Sequence, residues 1–127
     1  MPLSTHRIPV RWGDQDVLGH VNNAAYLRLV EEARVQWLYT LDGLWTEDEG
    51  PILASVSLSF RRPIVYPATV VAEQHVARVG RTSLTLRTVL TVEGDDGPAA
   101  EAEAVIVWVG AEGPTPLPDA LRAALVA

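Results

Sequence analysis

Over only one long stretch of this chain do apolar residues recur every three or four positions. Between about Asn23 and Leu41, Tyr26, Leu29, Val30, Ala33, Trp37, Leu38 and Leu41 fall on one side of a helix. Beyond it the period drops to two. Ile52, Ala54, Val56, Leu58 and Phe60 alternate with Leu53, Ser55, Ser57 and Ser59, the pattern of a half-buried strand. Thr69 to Val79, Ser83 to Val92 and Ala99 to Val109 read as three more strands, and a short helix from Asp119 to Val126 closes the chain. The turns around Gly80-Arg81 and Gly94-Asp95-Asp96-Gly97-Pro98 are too short for a crossover, so these strands must be antiparallel neighbours. One long helix must therefore cover one face of one sheet, which defines an α+β domain.

Other segments fit around this frame. His6 to Trp12 reads as a short first strand, placed at an edge or a strand end by Pro9, which cannot donate to a ladder. Arg11 to Gly19 is then a loop. Asn22 or Asn23 caps the long helix, Asp42-Gly43 stops it, and Glu31 and Glu32 meet Arg28 or Arg34 along it. At 127 residues, the whole chain suits a single domain able to bury a core without staples. The last strand, A-V-I-V-W-V, is apolar on both faces, so the side away from the helix is expected to meet another sheet or subunit. A homodimer or homotetramer would cover it.

Composition removes several function classes. The chain has no Cys, which excludes disulfides, thiolate metal sites and a cysteine nucleophile, and fits a reducing cytoplasm, the expected location. Sixteen acidic residues against ten basic ones give a net charge of −6, so no nucleic-acid partner is expected. All the basic residues are Arg; Schiff-base catalysis and a phosphate-loop lysine are unavailable, while planar Arg forks suited to phosphate remain. The longest apolar run, Ala104 to Val109, is too short to span a bilayer, and the N-terminus has no apolar leader region, so no membrane partner is expected.

The chemistry-bearing stretch is R-W-G-D-Q-D-V-L-G-H-V-N-N-A-A-Y, Arg11 to Tyr26, which packs two carboxylates, an imidazole and two amides into the approach to a helix. A helix start offers N–H groups without intrahelical partners and the positive end of a dipole, both suited to polarising an oxygen. A metal is not expected: read as a calcium loop from Asp14, the third ligand position is Leu18 and the twelfth Ala25 instead of a bidentate Glu. Zinc would need more nitrogen or sulfur ligands than His20 alone supplies. No G-x-S-x-G, G-x-G-x-x-G or G-x-x-x-x-G-K-[ST] occurs, which removes the serine-hydrolase elbow and the obvious nucleotide loops. Asp14 is expected to fix the loop by accepting backbone bonds, and Asn22 to cap the helix. His6 and His75, in strand patterns, are expected to face solvent without a role.

D-x-D-x-x-G-H-V-N-N-x-x-Y, the following Leu27 and Glu32-Ala33-Arg34, the later R-V-G-R-T-S and the P-L-P-x-x-L-R-A-A-L tail together resemble hotdog-fold thioesterases of the 4-hydroxybenzoyl-CoA thioesterase type. The resemblance spans nearly the whole chain. It implies an antiparallel sheet of about five strands wrapped around one long helix, with active sites between two subunits of a dimer, often within a tetramer. It implies hydrolysis of an acyl-CoA to a carboxylic acid and free CoA, with Asp16 as nucleophile or as general base for water, and with the backbone N–H of Asn23 as oxyanion donor. CoA belongs to the substrate, and no other cofactor is implied. The turn carrying Arg81, Thr82 and Ser83 is where the resemblance places coenzyme binding, and Arg61, Arg62, Arg78 and Arg81 form the cationic set from which its phosphates can draw. One large branch of the family has His at the position of Asn23, whereas here the imidazole is His20. His20 either orients Asp16 or a water, or bonds loop backbone. Two rival readings are a non-enzymatic acyl-CoA binding module and a hotdog-type enoyl hydratase or dehydratase using His20 with Asp16.

Overall fold

The computed structural model describes residues 1–126. In chain order it contains β1 (Ser4–Pro9), α1 (Asn23–Leu38), β2 (Gly50–Phe60), β3 (Thr69–Val79), β4 (Ser83–Val92), β5 (Ala100–Gly110), β6 (Gly113–Pro114) and α2 (Asp119–Val126). The strands form one sheet in the order β1-β3-β4-β5-β2, each neighbour antiparallel, with the two-residue β6 added to β5. This is the α+β hotdog arrangement expected from the sequence.

Helix α1 lies on one face of that sheet because the face is lined with small side chains. Ala72, Ala100 and Ala102 join Ala33 of the helix in a core with Tyr26, Leu29, Val30, Val70 and Leu90. The helix and sheet backbones come closest over β1 and β3, where Ala72 faces the helix. A second cluster, built from Trp37, Leu38, Leu84, Leu86, Ile106 and Trp108, is closed by Leu117, Leu121 and Leu125 of the C-terminal segment. One polar pair is enclosed with them: Gln74 sits opposite Thr88, and its amide donates to the Ser4 hydroxyl at 2.8 Å and to the Ala33 carbonyl at 3.0 Å.

The structure departs from the sequence reading at four places, each for a local reason. The first strand is Ser4–Pro9 and not His6 to Trp12, because Trp12–Asp14 curls into a 3-10 turn when the Arg11 N–H donates to Asp14 Oδ2 at 2.8 Å. Regular helix ends at Leu38, where the Thr40 hydroxyl donates to the Trp37 carbonyl at 2.6 Å and the Thr40 and Leu41 N–H groups make tightened three-residue bonds. Strand β2 carries a bulge at Ala54, so Ile52 pairs with Val107 on the outer face while Leu53 joins Val56 and Leu58 on the inner one. The alternation expected from Ile52 through Phe60 holds only after that bulge. His6 does not face solvent, since it shares the inner face with Ile8 and Ala72, and its Nε2 is shielded without a partner.

Candidate active site

The loop between β1 and α1 is organised around Asp14, whose side chain is 3% exposed. Its Oδ1 accepts from Arg11 Nε at 3.1 Å and Nη2 at 2.9 Å, and its Oδ2 from Arg28 Nη2 of α1 at 2.8 Å. The Asp14 carbonyl accepts from the Asn22 N–H at 2.8 Å. Burial pushes the Asp14 carboxyl up, but the bonds from Arg11 and Arg28 outweigh it and hold the group below the ordinary carboxylate range. Asp14 is thus the loop-fixing acceptor expected from the sequence. Every lone-pair direction it spends on these cations is withdrawn from chemistry.

Asp16 is differently placed. Its Oδ1 accepts from the Leu18 N–H at 2.9 Å, the local turn typical of Asp, and its Oδ2 accepts from Asn22 Nδ2 at 3.1 Å. Asn22 is the helix cap, its Oδ1 accepting the Ala24 N–H at 2.8 Å. One amide thereby fastens the carboxylate to the helix start. Asn23 is the first residue of α1, and no hydrogen bond among the described residues uses its backbone N–H.

The His20 side chain is not bonded to Asp16; the link runs through backbone, with the Asp16 N–H donating to the His20 carbonyl at 3.2 Å. His20 instead lines a cleft of about 320 Å³ with Val21, Asn23, Tyr26, Phe60, Arg61, Arg62 and Pro63. Tyr26 and Phe60 meet edge to face, ring centroids 4.9 Å apart, and make its apolar wall. Burial pushes the Tyr26 phenol up from its ordinary value, partly offset by a backbone bond at Ile64, so the ring is neutral. The cleft exists because the Val21 N–H donates to the Ile64 carbonyl at 2.8 Å, which sews the helix approach to the segment after β2.

The sequence groups Arg61 and Arg62 with Arg78 and Arg81 as one cationic set. The fold separates them. Arg61 and Arg62 flank the cleft, Arg61 paired with Glu101 at 3.0 Å and Arg62 with Asp95 at 3.8 Å. The Arg81-Thr82-Ser83 turn follows β3, which starts beside the end of β1 and runs away from it, so roughly 30 Å of strand separates the turn from the Asp16 loop within one chain. The role of Phe60 in that wall was not assigned from sequence; its only signal there was its position at the end of β2, directly before the two arginines.

Residues 10–125 match the thioesterase-like superfamily, and the chain belongs to it. Among solved structures it is similar to the PA2801 protein of Pseudomonas aeruginosa, with 44% identity, full coverage of both chains and a TM-score of 0.93. It is also similar to a thioesterase from Thermus thermophilus complexed with coenzyme A and Zn, with 32% identity, coverage of 98% and 92% and a TM-score of 0.85. The long-chain acyl-CoA thioesterase FadM of Escherichia coli shares 29% identity over 106 residues, 81% of this chain and 80% of that one. The expectation of a hotdog thioesterase agrees with this membership. Among the described residues, no three His, Asp or Glu side chains gather as a metal-holding group, and no helix is long and apolar enough to cross a membrane.

Proposed function

We propose that the protein hydrolyses an acyl-CoA thioester to a carboxylic acid and free CoA, acting in the cytoplasm as a homodimer or homotetramer. The observation that carries this reading is the double duty of Asn22, which holds the Asp16 carboxylate beside a helix start whose first N–H, that of Asn23, has no partner among the described residues. As general base, Asp16 takes a proton from water while the water oxygen bonds the carbonyl carbon; the C–S bond then breaks and the thiolate leaves to be protonated. As nucleophile, Asp16 bonds that carbon itself, expels the thiolate and gives a mixed anhydride that water cleaves. On both routes negative charge gathers on the carbonyl oxygen, where one preorganised N–H contributes about 3 kcal/mol.

The Arg81, Thr82 and Ser83 turn lies at the far end of the same sheet, so we assign the coenzyme contact to the turn of a second copy. A two-fold pairing supplies each Asp16 with its partner's turn. The edge strand β2, which exposes Ile52, Leu53 and Phe60, is a surface that such a pairing can cover. CoA enters as substrate, and the mechanism calls on no further cofactor. The hydratase reading needs His20 and Asp16 positioned together on an enoyl substrate, whereas both Asp16 oxygens are held by the Leu18 N–H and the Asn22 amide.

Asp16→Asn preserves the shape of the side chain and removes its charge. Thiol release from a panel of acyl-CoA thioesters is expected to fall by at least about a hundredfold with unchanged thermal unfolding. Equal rates for the two proteins would remove Asp16 from the mechanism. Tight acyl-CoA binding without turnover in the unaltered protein would instead favour the binding module. Label from ¹⁸O-water found in the Asp16 side chain after a single turnover would establish the nucleophilic route, because only an anhydride cleaved at the Asp16 carbonyl puts it there.

A further inference from the structure

Helix α2 carries one cation, Arg122, as the fourth residue of the eight-residue helix Asp119–Val126. What it contacts lies outside the helix. Arg122 Nη2 donates to two consecutive carbonyls of the β3–β4 turn, Gly80 O at 2.7 Å and Arg81 O at 2.9 Å. The Leu117 N–H also donates to Arg81 O, at 2.9 Å. The turn itself is tight, since the Gly80 N–H donates to Ser83 O at 2.7 Å and a Cβ on Gly80 would come within 3.3 Å of Ser83 O and Oγ.

A trans peptide unit points its N–H opposite to its C=O. The Gly80 and Arg81 carbonyls aim at Arg122, so the N–H groups in the same peptide units, those of Arg81 and Thr82, aim away from α2. No hydrogen bond among the described residues uses either N–H, and the exposed Arg81 guanidinium makes no ion pair among them. Two backbone donors and a guanidinium are thus held out on the side of the turn that faces away from the helix. Oriented backbone N–H groups of this kind suit phosphate oxygens.

We infer that Arg122 is a positioning residue for coenzyme recognition: by gripping the two carbonyls it fixes the outward aim of the Arg81 and Thr82 N–H groups toward a CoA phosphate. This rests on the assignment of the coenzyme to that turn. Arg122 touches no substrate atom and acts only through the turn.

The test compares two thioesters of one acyl group, the CoA ester and the pantetheine ester, which lacks the nucleotide. Arg122→Ala is expected to raise KM for the CoA ester about tenfold, with kcat within about twofold and KM for the pantetheine ester unchanged. Arg122→Lys, which keeps the charge and one donor while preserving α2, is expected to lie between, and free-CoA binding by calorimetry should weaken in the same order. Equal losses on both esters, or a fall in kcat alone, would reduce Arg122 to a support of the fold and overturn the inference. Arg81→Ala separates the two layers of reasoning. A raised CoA-to-pantetheine KM ratio in Arg81→Ala with no change in either Arg122 variant overturns the inference alone, whereas silence in all three overturns the coenzyme assignment beneath it.

Discussion

Asn22 performs two tasks with opposite ends of one amide, and a pair of substitutions pulls them apart. Its Oδ1 accepts the Ala24 N–H at 2.8 Å and its Nδ2 donates to Asp16 Oδ2 at 3.1 Å. Asn22→Ala deletes both. Losing the cap costs about 1 kcal/mol, which for a domain of this size lowers Tm by roughly 3–5 °C. Losing a hydrogen bond to a charged group that sets its position costs about 1.5–3 kcal/mol, so kcat/KM should fall by about tenfold to a hundredfold. Asn22→Asp keeps the cap acceptor and places a negative charge at the positive end of α1, which contributes about 0.3–1 kcal/mol. That gain opposes the repulsion between the new carboxylate and the half-exposed Asp16, which is of similar size, so Tm should stay within about 2 °C of the original. Activity should not recover, because the only donor to Asp16 Oδ2 among the described residues is gone and a second anion stands in its place. Thermal unfolding followed by circular dichroism, read beside thiol release from one acyl-CoA, gives both numbers. An Asn22→Asp protein with full kcat/KM would refute the claim that Asn22 holds the reacting carboxylate, and one that is as unstable as Asn22→Ala would refute the cap assignment.

Two further outcomes follow from the scaffold. Because the Asp14 carboxyl lies below its unfolded value, its contribution to stability is fully present above about pH 4 and is lost as pH falls through the lower, folded value. Asp14→Asn, which leaves Arg11 and Arg28 facing a neutral amide, should cost about 2–3 kcal/mol at pH 7 by urea unfolding and should flatten the decline in stability below about pH 4; an unchanged acid profile would contradict the role of Asp14. Ala72→Leu puts three extra carbons into the core that Ala33 shares and should cost about 1–3 kcal/mol by the same measurement, whereas an unaltered urea midpoint would mean that α1 does not pack closely over β3.

The elements were legible wherever local chemistry repeats. The spacing of Tyr26, Leu29, Val30, Ala33 and Trp37 marks a helix face, and the Gly80 and Gly94 turns mark hairpins, because neither depends on anything distant. The bulge at Ala54 left no such mark. It slips the pairing by one residue without disturbing the alternation of residue types, so Ile52 and Leu53 exchange faces in a way that only their partners Val107 and Ile106 reveal. The same contrast runs through the site. Asp16, Asn22 and Asn23 lie within eight consecutive residues, so their placement at the start of α1 could be read along the chain, while the roles expected of Asp16 and Asn23 came from the family resemblance. Arg61 and Arg62 reach the cleft only because the Val21 N–H finds the Ile64 carbonyl, more than forty positions away. Arg122 grips a turn some forty residues before it, at the end of the interior β3–β4 hairpin, a contact that no spacing rule describes. Asp16, Asn22 and Asn23 are therefore brought together by local chain geometry, whereas the cleft and the Arg122 grip are assembled by tertiary contact, which no spacing along the chain announces.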